Sequence, residues 1–179
     1  QKAAECYERA GKIRHRNYMW YNQSSIYRNL AQYTESENLL RKALVSGKDI
    51  KDSVLIRNSI GNLVMLCIEQ QRMSEAKQLY EELRYYVGTN YGSSSFMGKL
   101  AKMYISEGDF MNAKRCVETA WSRSKNSIDS VGLYFSSAEL LSALGKGKAA
   151  YDELMKGVAL QNDEAHQALQ QPVLTAQRD

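Results

Sequence analysis

The stretch FMGKLAKMYISEGDFMNAKRCVETAWSR, Phe96 to Arg123, decides the fold. Met97, Leu100, Ala101, Tyr104 and Ile105 recur at the spacing of one helix face. Ala113, Cys116, Val117 and Ala120 do the same further on. Between the two sets stand Gly108 and Asp109. Glycine accepts the left-handed conformation that ends a helix, and aspartate caps the next one. The stretch therefore predicts two short antiparallel helices. Such a hairpin buries little apolar surface alone and needs neighbours.

The rest of the chain supplies them. Residues 2 to 14 read as the second helix of a hairpin, with Ala3, Cys6, Tyr7 and Ala10 on its apolar face. That half unit takes residues 1–16, and whole units follow at 17–50, 51–92, 93–126 and 127–160, all in one domain. Thr34 and Glu37 fit a capping box at the start of a second helix. Ile60, Leu63, Val64, Cys67 and Ile68 form the strongest helical stripe, and Ala76, Leu79, Tyr80 and Leu83 answer it. Gly88 to Ser93 is the most turn-rich segment, where a hinge or long loop is expected. The tail, 161–179, predicts a short helix capped by Asp163 and stopped near Pro172, acting as a cap or a linker.

The units share a register. A small residue opens each second helix, at Ala3, Ser36, Ala76, Ala113 and Ala150. Four residues later stand Tyr7, Leu40, Tyr80, Val117 and Leu154, and seven later Ala10, Ala43, Leu83, Ala120 and Gly157. Twelve residues before the small position are Ser24, Val64, Ala101 and Ala138; nine before are Tyr27, Cys67, Tyr104 and Leu141. Small side chains let helices approach closely, and large ones behind them fill the remaining space.

Composition fits a folded helical chain. Of 179 residues, 44% are hydrophobic and 25% charged, and only Pro172 interrupts helix formation. A net charge of +4 falls short of a nucleic-acid footprint unless it is clustered. The tightest cluster, Lys12, Arg14, His15 and Arg16, reads as a solvated connection between helices. Cys6, Cys67 and Cys116 are odd in number and far apart, which suits a reducing, cytoplasmic compartment. The apolar run from Leu63 to Ile68 is too short to cross a bilayer.

These columns resemble the tetratricopeptide repeat. Trp20, Tyr27, Ser36, Leu40 and Ala43 match that family's large-small-large pattern, as do Leu100, Ala101, Tyr104, Gly108, Ala113 and Ala120. The resemblance extends over about residues 3 to 158 and is densest at 94–125. Later units exceed the family period of about 34 residues, and its closing proline is absent. The resemblance implies an all-α, right-handed α-solenoid of antiparallel helix hairpins whose first helices line a concave groove. The long repeats and the tail are also loosely similar to repeat-containing sensor or envelope proteins of bacteria.

If the family geometry holds, the groove residues are Tyr18, Tyr21, Asn22, Ser25 and Arg28, then Asn58, Asn62, Met65 and Glu69, then Lys99 and Lys102, then Phe135 and Glu139. Tyrosines offer apolar area with a polar tip, and amides can pair with an extended peptide backbone. The implied partner is a peptide or a partner helix. The family's best-known carboxylate clamp is not implied, because Tyr21 and Ser25 stand where it needs lysine and asparagine.

Chemistry is not visible. His15 and His166 lie at opposite ends and the cysteines are scattered, so no metal-ligand spacing, catalytic constellation or cofactor motif is read. The function expected is a non-catalytic protein-interaction scaffold. The alternatives are a regulatory region of a membrane-attached bacterial signalling protein, in which case the cell envelope replaces the cytoplasm, and a nucleic-acid-binding helical repeat. The incomplete first unit leaves Cys6, Tyr7 and Ala10 uncovered, which predicts self-association at that end or a longer natural chain.

The register makes a test. Ala113→Leu should overpack its hairpin and cost about 1–3 kcal/mol in chemical denaturation; wild-type stability would show that Ala113 is misplaced.

Overall fold

Backbone chemistry at the helix ends sets the architecture. The computed structural model describes residues 12–87, 91–125 and 127–176, with side chains from 127–129 and from 166 onward left aside. Eight α-helices are described: α1 Ile13–Asn29, α2 Tyr33–Asp49, α3 Ser53–Glu69, α4 Met73–Val87, α5 Ser94–Ser106, α6 Phe110–Arg123, α7 Ser127–Ala143 and α8 Gly147–Ala176. They fall into two compact units, residues 1–91 and 92–179. In the first, α1 packs on α2, α2 on α3, α3 on α4, and α1 also meets α3. In the second, α5 packs on α6, α6 on α7, α7 on α8, and α5 meets α7. Contact between the first helices of successive hairpins is the signature of stacked repeats.

Five helices end in the same way. The backbone N–H groups of Gln32, Asp52, Arg72, Asp109 and Lys146 donate to the carbonyls of Tyr27, Gly47, Cys67, Tyr104 and Leu141 at 2.8–2.9 Å. The residue before each donor, Ala31, Lys51, Gln71, Gly108 or Gly145, has a positive φ of 54–75° and bonds three residues back. This is the Schellman closure, which satisfies carbonyls that a helix end leaves open. As expected from the sequence, Gly108 takes the left-handed position and the Asp109 side chain caps α6 by accepting from the Asn112 N–H at 3.1 Å.

Three local expectations are corrected. The capping box is absent: α2 begins at Tyr33, its N-cap Gln32 makes no side-chain bond, and Thr34 lies inside the helix. The closure at Ala31 already fixes that entry, and Glu37 turns instead to Arg72 and Arg41. Arg14, His15 and Arg16 are not a connection but the first turn of α1, where Arg16 stacks on Trp20 four residues on, 4.4 Å from the ring centre. The tail is no separate helix; Asp163 lies within the continuous α8, which runs through Pro172 to Ala176. The face of Cys6, Tyr7 and Ala10, and the self-association expected there, lie outside the described residues, as do residues 88–90 of the turn-rich segment.

The small-residue column is buried at each of its described positions. Ser36, Ala76 and Ala113 are fully buried and Ala150 is 8% exposed. The Ser36 hydroxyl donates to the Ser24 carbonyl at 2.8 Å, so two small columns touch. Leu40, Ala43, Leu83, Val117 and Ala120 are buried behind them. Leu154 departs from its column, with 42% exposure on the last helix. Gly157 is buried, and a Cβ there would lie 2.7 Å from the Phe135 ring and 3.0 Å from Tyr134 Cβ.

The left-handed turns give a second test. A side chain at positive φ is strained by about 1 kcal/mol where glycine is not. Gln71→Gly should therefore raise stability by about 0.5–1 kcal/mol in urea denaturation, while Gln78→Gly, inside α4, should lower it by about 1 kcal/mol.

Candidate functional site

In the first unit, α1 and α3 meet side by side, and two rungs cross between them. Asn62 Nδ2 donates to Tyr21 Oη at 3.0 Å. Seven residues further along each helix, Arg28 reaches Glu69 with two bonds of 2.8 and 2.6 Å. Both members of that ion pair are only 21% exposed, and the fork geometry uses both carboxylate oxygens. Arg28 and Glu69 thus strap the helices together. Asn58 and Met65 lie half-buried on the same face of α3, and Tyr18 is half-buried on α1, with the Arg14 guanidinium 5.9 Å from its ring centre. Asn22 and Ser25 are exposed on α1.

The open hydrogen-bonding capacity of this face sits on α3. Asn62 also donates to the Asn58 carbonyl at 3.3 Å, but its side-chain oxygen accepts from no described residue. The Asn58 carboxamide has no partner among the described residues.

Sequence reasoning missed Tyr91. Its ring covers Gly61 in the middle of α3, where a Cβ would come within 2.8 Å of the phenol oxygen. The phenol points to the Arg57 carbonyl at 3.5 Å. Burial, reinforced by nearby Tyr21, raises its pKa, so it remains a neutral donor. The signal was a glycine inside a strongly apolar helix, which marks a close approach by another group.

In the second unit the four remaining predicted residues come together. Lys99 and Lys102 on α5, and Phe135 and Glu139 on α7, line one cavity of about 340 Å³. Ser95, Gly98, Gly132, Leu133 and Ser136 complete its lining. Lys102 Nζ lies 3.7 Å from Glu139 Oε1, with both side chains nearly half exposed, so the pair is weak. The glycines of this cavity are the part that groove reasoning did not name.

The second helices carry structural charge. Arg41 bonds Glu37 and Glu75, and Arg72 bonds the same two carboxylates, closing a ring of four charges between α2 and α4. Lys48 adds a bond to Glu82 at 2.7 Å. Burial alone would raise the Glu37 carboxyl; the hydrogen bonds and charges of Arg72 and Arg41 outweigh it and hold it below its ordinary value. Burial pushes the thiols of Cys67 and Cys116 up to about 11, so neither is a nucleophile near neutral pH. Among the described residues, no group of three His, Cys, Asp or Glu could hold a metal ion. No described helix is long and apolar enough to cross a membrane.

Comparison with known proteins accords with this geometry. Residues 18–44 match the tetratricopeptide repeat. The matched segment comprises most of α1, its left-handed turn and most of α2, and lies outside the 94–125 unit where the pattern reads densest. The crystal structure of BtubC (BKLC) from P. vanneervenii is similar with a TM-score of 0.65 at 13% identity, over 90% of this chain and 78% of that one. At that identity the likeness concerns the fold, which is all-α and tetratricopeptide-like. No curated protein matches the sequence. Tetratricopeptide repeats in general mediate protein–protein interaction and typically serve as non-catalytic scaffolds.

The charge ring predicts an acid response. A carboxylate whose folded pKa is depressed contributes stability above its unfolded value, near 4.3, and loses it as pH falls through the folded value. Glu37→Gln should cost about 1 kcal/mol at pH 7. Its stability should also fall less steeply than wild type below about pH 5 in denaturation followed by circular dichroism; parallel pH profiles would show that the ring contributes nothing.

Proposed function

We propose that this chain is a protein-interaction scaffold that binds an extended peptide along the α1/α3 face, with no catalysis of its own. The observation supporting this is the pair of half-buried amides, Asn58 and Asn62, with hydrogen-bonding capacity left open. They lie one turn apart on α3, a rise of about 6 Å. An extended peptide presents same-side backbone groups about every 6.8 Å. Asn58 can therefore offer a donor and an acceptor to one backbone position, and the Asn62 oxygen an acceptor to the next.

The tyrosines supply the apolar part. Tyr18, Tyr21 and Tyr91 present stiff rings with polar tips, which suits a surface that must desolvate without losing hydrogen bonds. Asn22 and Ser25 edge the face, Met65 offers an adaptable apolar contact, and the Arg28–Glu69 strap keeps α1 and α3 from sliding.

A random-peptide display selection on the whole chain, followed by fluorescence anisotropy with the enriched peptides, tests this reading. The Asn58→Ala, Asn62→Ala double variant should bind at least about tenfold more weakly, as expected for two lost hydrogen bonds of about 1 kcal/mol each. Its thermal melt should fall by no more than about 4 °C, because Asn58 has no side-chain partner among the described residues and Asn62 gives up one bond to Tyr21 worth about 1 kcal/mol. Unchanged affinity, or binding to oligonucleotides in preference to every peptide with a steep loss in salt, would overturn it.

A further inference from the structure

We infer that a second copy of this chain docks on the exposed face of α8, the two copies related by a two-fold axis with their α8 helices antiparallel. The inference does not rest on the peptide-binding reading, which concerns α1 and α3.

The repeat register marks the face. One and five residues after the buried small position, the second helices α2, α4 and α6 carry charge: Glu37 and Arg41, Lys77 and Glu81, Lys114 and Glu118. In α8 the same two positions hold Tyr151 and Met155, which are 61% and 45% exposed. Leu154 lies beside them at 42%, although its counterparts Leu40 and Val117 are buried. The last helix of a stack ordinarily turns a polar face outward, which keeps the end soluble. α8 does the reverse at the very positions where the inner helices are charged. A contiguous apolar strip of this kind marks a contact surface.

No described part of the chain covers the strip. α2 and α6, of 17 and 14 residues, are each followed by a first helix that packs back on them, α3 and α7. α8 runs for 30 residues and, among the described helices, packs on α7 alone. A helix returning over Leu154 would need a corner near residue 163; α8 continues instead to Ala176. The chain does not fold back on this face as it does in the inner hairpins.

Charge selects a second copy and its direction. Lys148, Asp152, Lys156 and Asp163 alternate in sign along one flank of the strip. Lys156 is held by Glu153 at 2.6 Å, but Lys148 and Asp163 are exposed and make no ion pair among the described residues. In a two-fold contact each residue meets its mate reciprocally. With the two Met155 side chains at the axis, Lys148 of each copy comes opposite Asp163 of the other, and Asp152 comes opposite Ala159. Tyr151 then lies over the turn from Val158 to Asn162 of the other copy. The paired span, 148 to 163, is about 24 Å long. A parallel pair would set Lys148 against Lys148 and Asp163 against Asp163, which like-charge repulsion opposes.

Sedimentation of the whole chain in reducing buffer, over a range of concentrations, tests this. Tyr151→Lys with Met155→Glu gives α8 the charged pair that α6 carries at Lys114 and Glu118, so the variant should melt like wild type. The expected result is a wild-type dimer that forms with rising concentration and is weakened at least about tenfold by that double substitution, through lost apolar burial in both copies. Lys148→Glu alone and Asp163→Lys alone should each weaken the dimer, and the two together should restore it. Asn58→Ala with Asn62→Ala should dimerise as wild type does, so failure of the α1/α3 reading leaves this result untouched. A chain monomeric at every concentration, or a dimer indifferent to Tyr151→Lys with Met155→Glu, would overturn the inference. So would species larger than a dimer, or a charge swap that fails to restore association.

Discussion

Close helix approach at a column of small side chains is the constraint on which the structure depends. Ser36, Ala76, Ala113 and Ala150 are each buried at the same place in a second helix. At the first of them, the serine hydroxyl bonds directly to the backbone of the facing helix. Dispersion and apolar burial fall off quickly with separation, so the larger residues behind the column gain contacts only because the column stays small. The functional surfaces follow. Once the hairpins are drawn together, the first helices of neighbouring hairpins must lie side by side, α1 against α3 and α5 against α7.

The two faces of the stack divide the charges. On the second helices, arginine and glutamate close upon one another in a ring, as surface charge does when it serves folding. On the first helices, Arg28 and Glu69 are also spent on each other. What stays open on the α1/α3 face is neutral: the Asn58 carboxamide and the Asn62 side-chain oxygen. A neutral polar surface costs little to desolvate, which favours peptide binding by hydrogen bonds over attraction by bulk charge.

Much of this was legible in the residues. The columns of small and large side chains fixed the hairpins and their stacking because burial enforces helical periodicity. The residues expected on the first helices do lie there, and Lys99, Lys102, Phe135 and Glu139 meet around one cavity. Other features were hidden for physical reasons. Thr34 and Glu37 look like a capping box, yet the backbone closure at Ala31 had already set the helix start, and Arg41 one turn on and Arg72, distant in sequence, claimed the glutamate. Left-handed turns at Ala31, Lys51 and Gln71 lack the glycine that would announce them. Tyr91 gave no periodic signal, because its role rests on Gly61, thirty residues earlier. The buried thiols also weaken the argument from cysteine to compartment: Cys67 and Cys116 fill space and scarcely ionise.

The five identical helix closures carry a consequence for how such a chain can change length. Each joins its helices through three residues, with one left-handed position and one bond reaching back five places. Adding a single residue to such a corner would break that bond and swing every later side chain about 100° around its axis. Growth is therefore confined to whole helical turns and to the connections outside these corners. This accounts for units of unequal length that nonetheless keep their inner columns aligned.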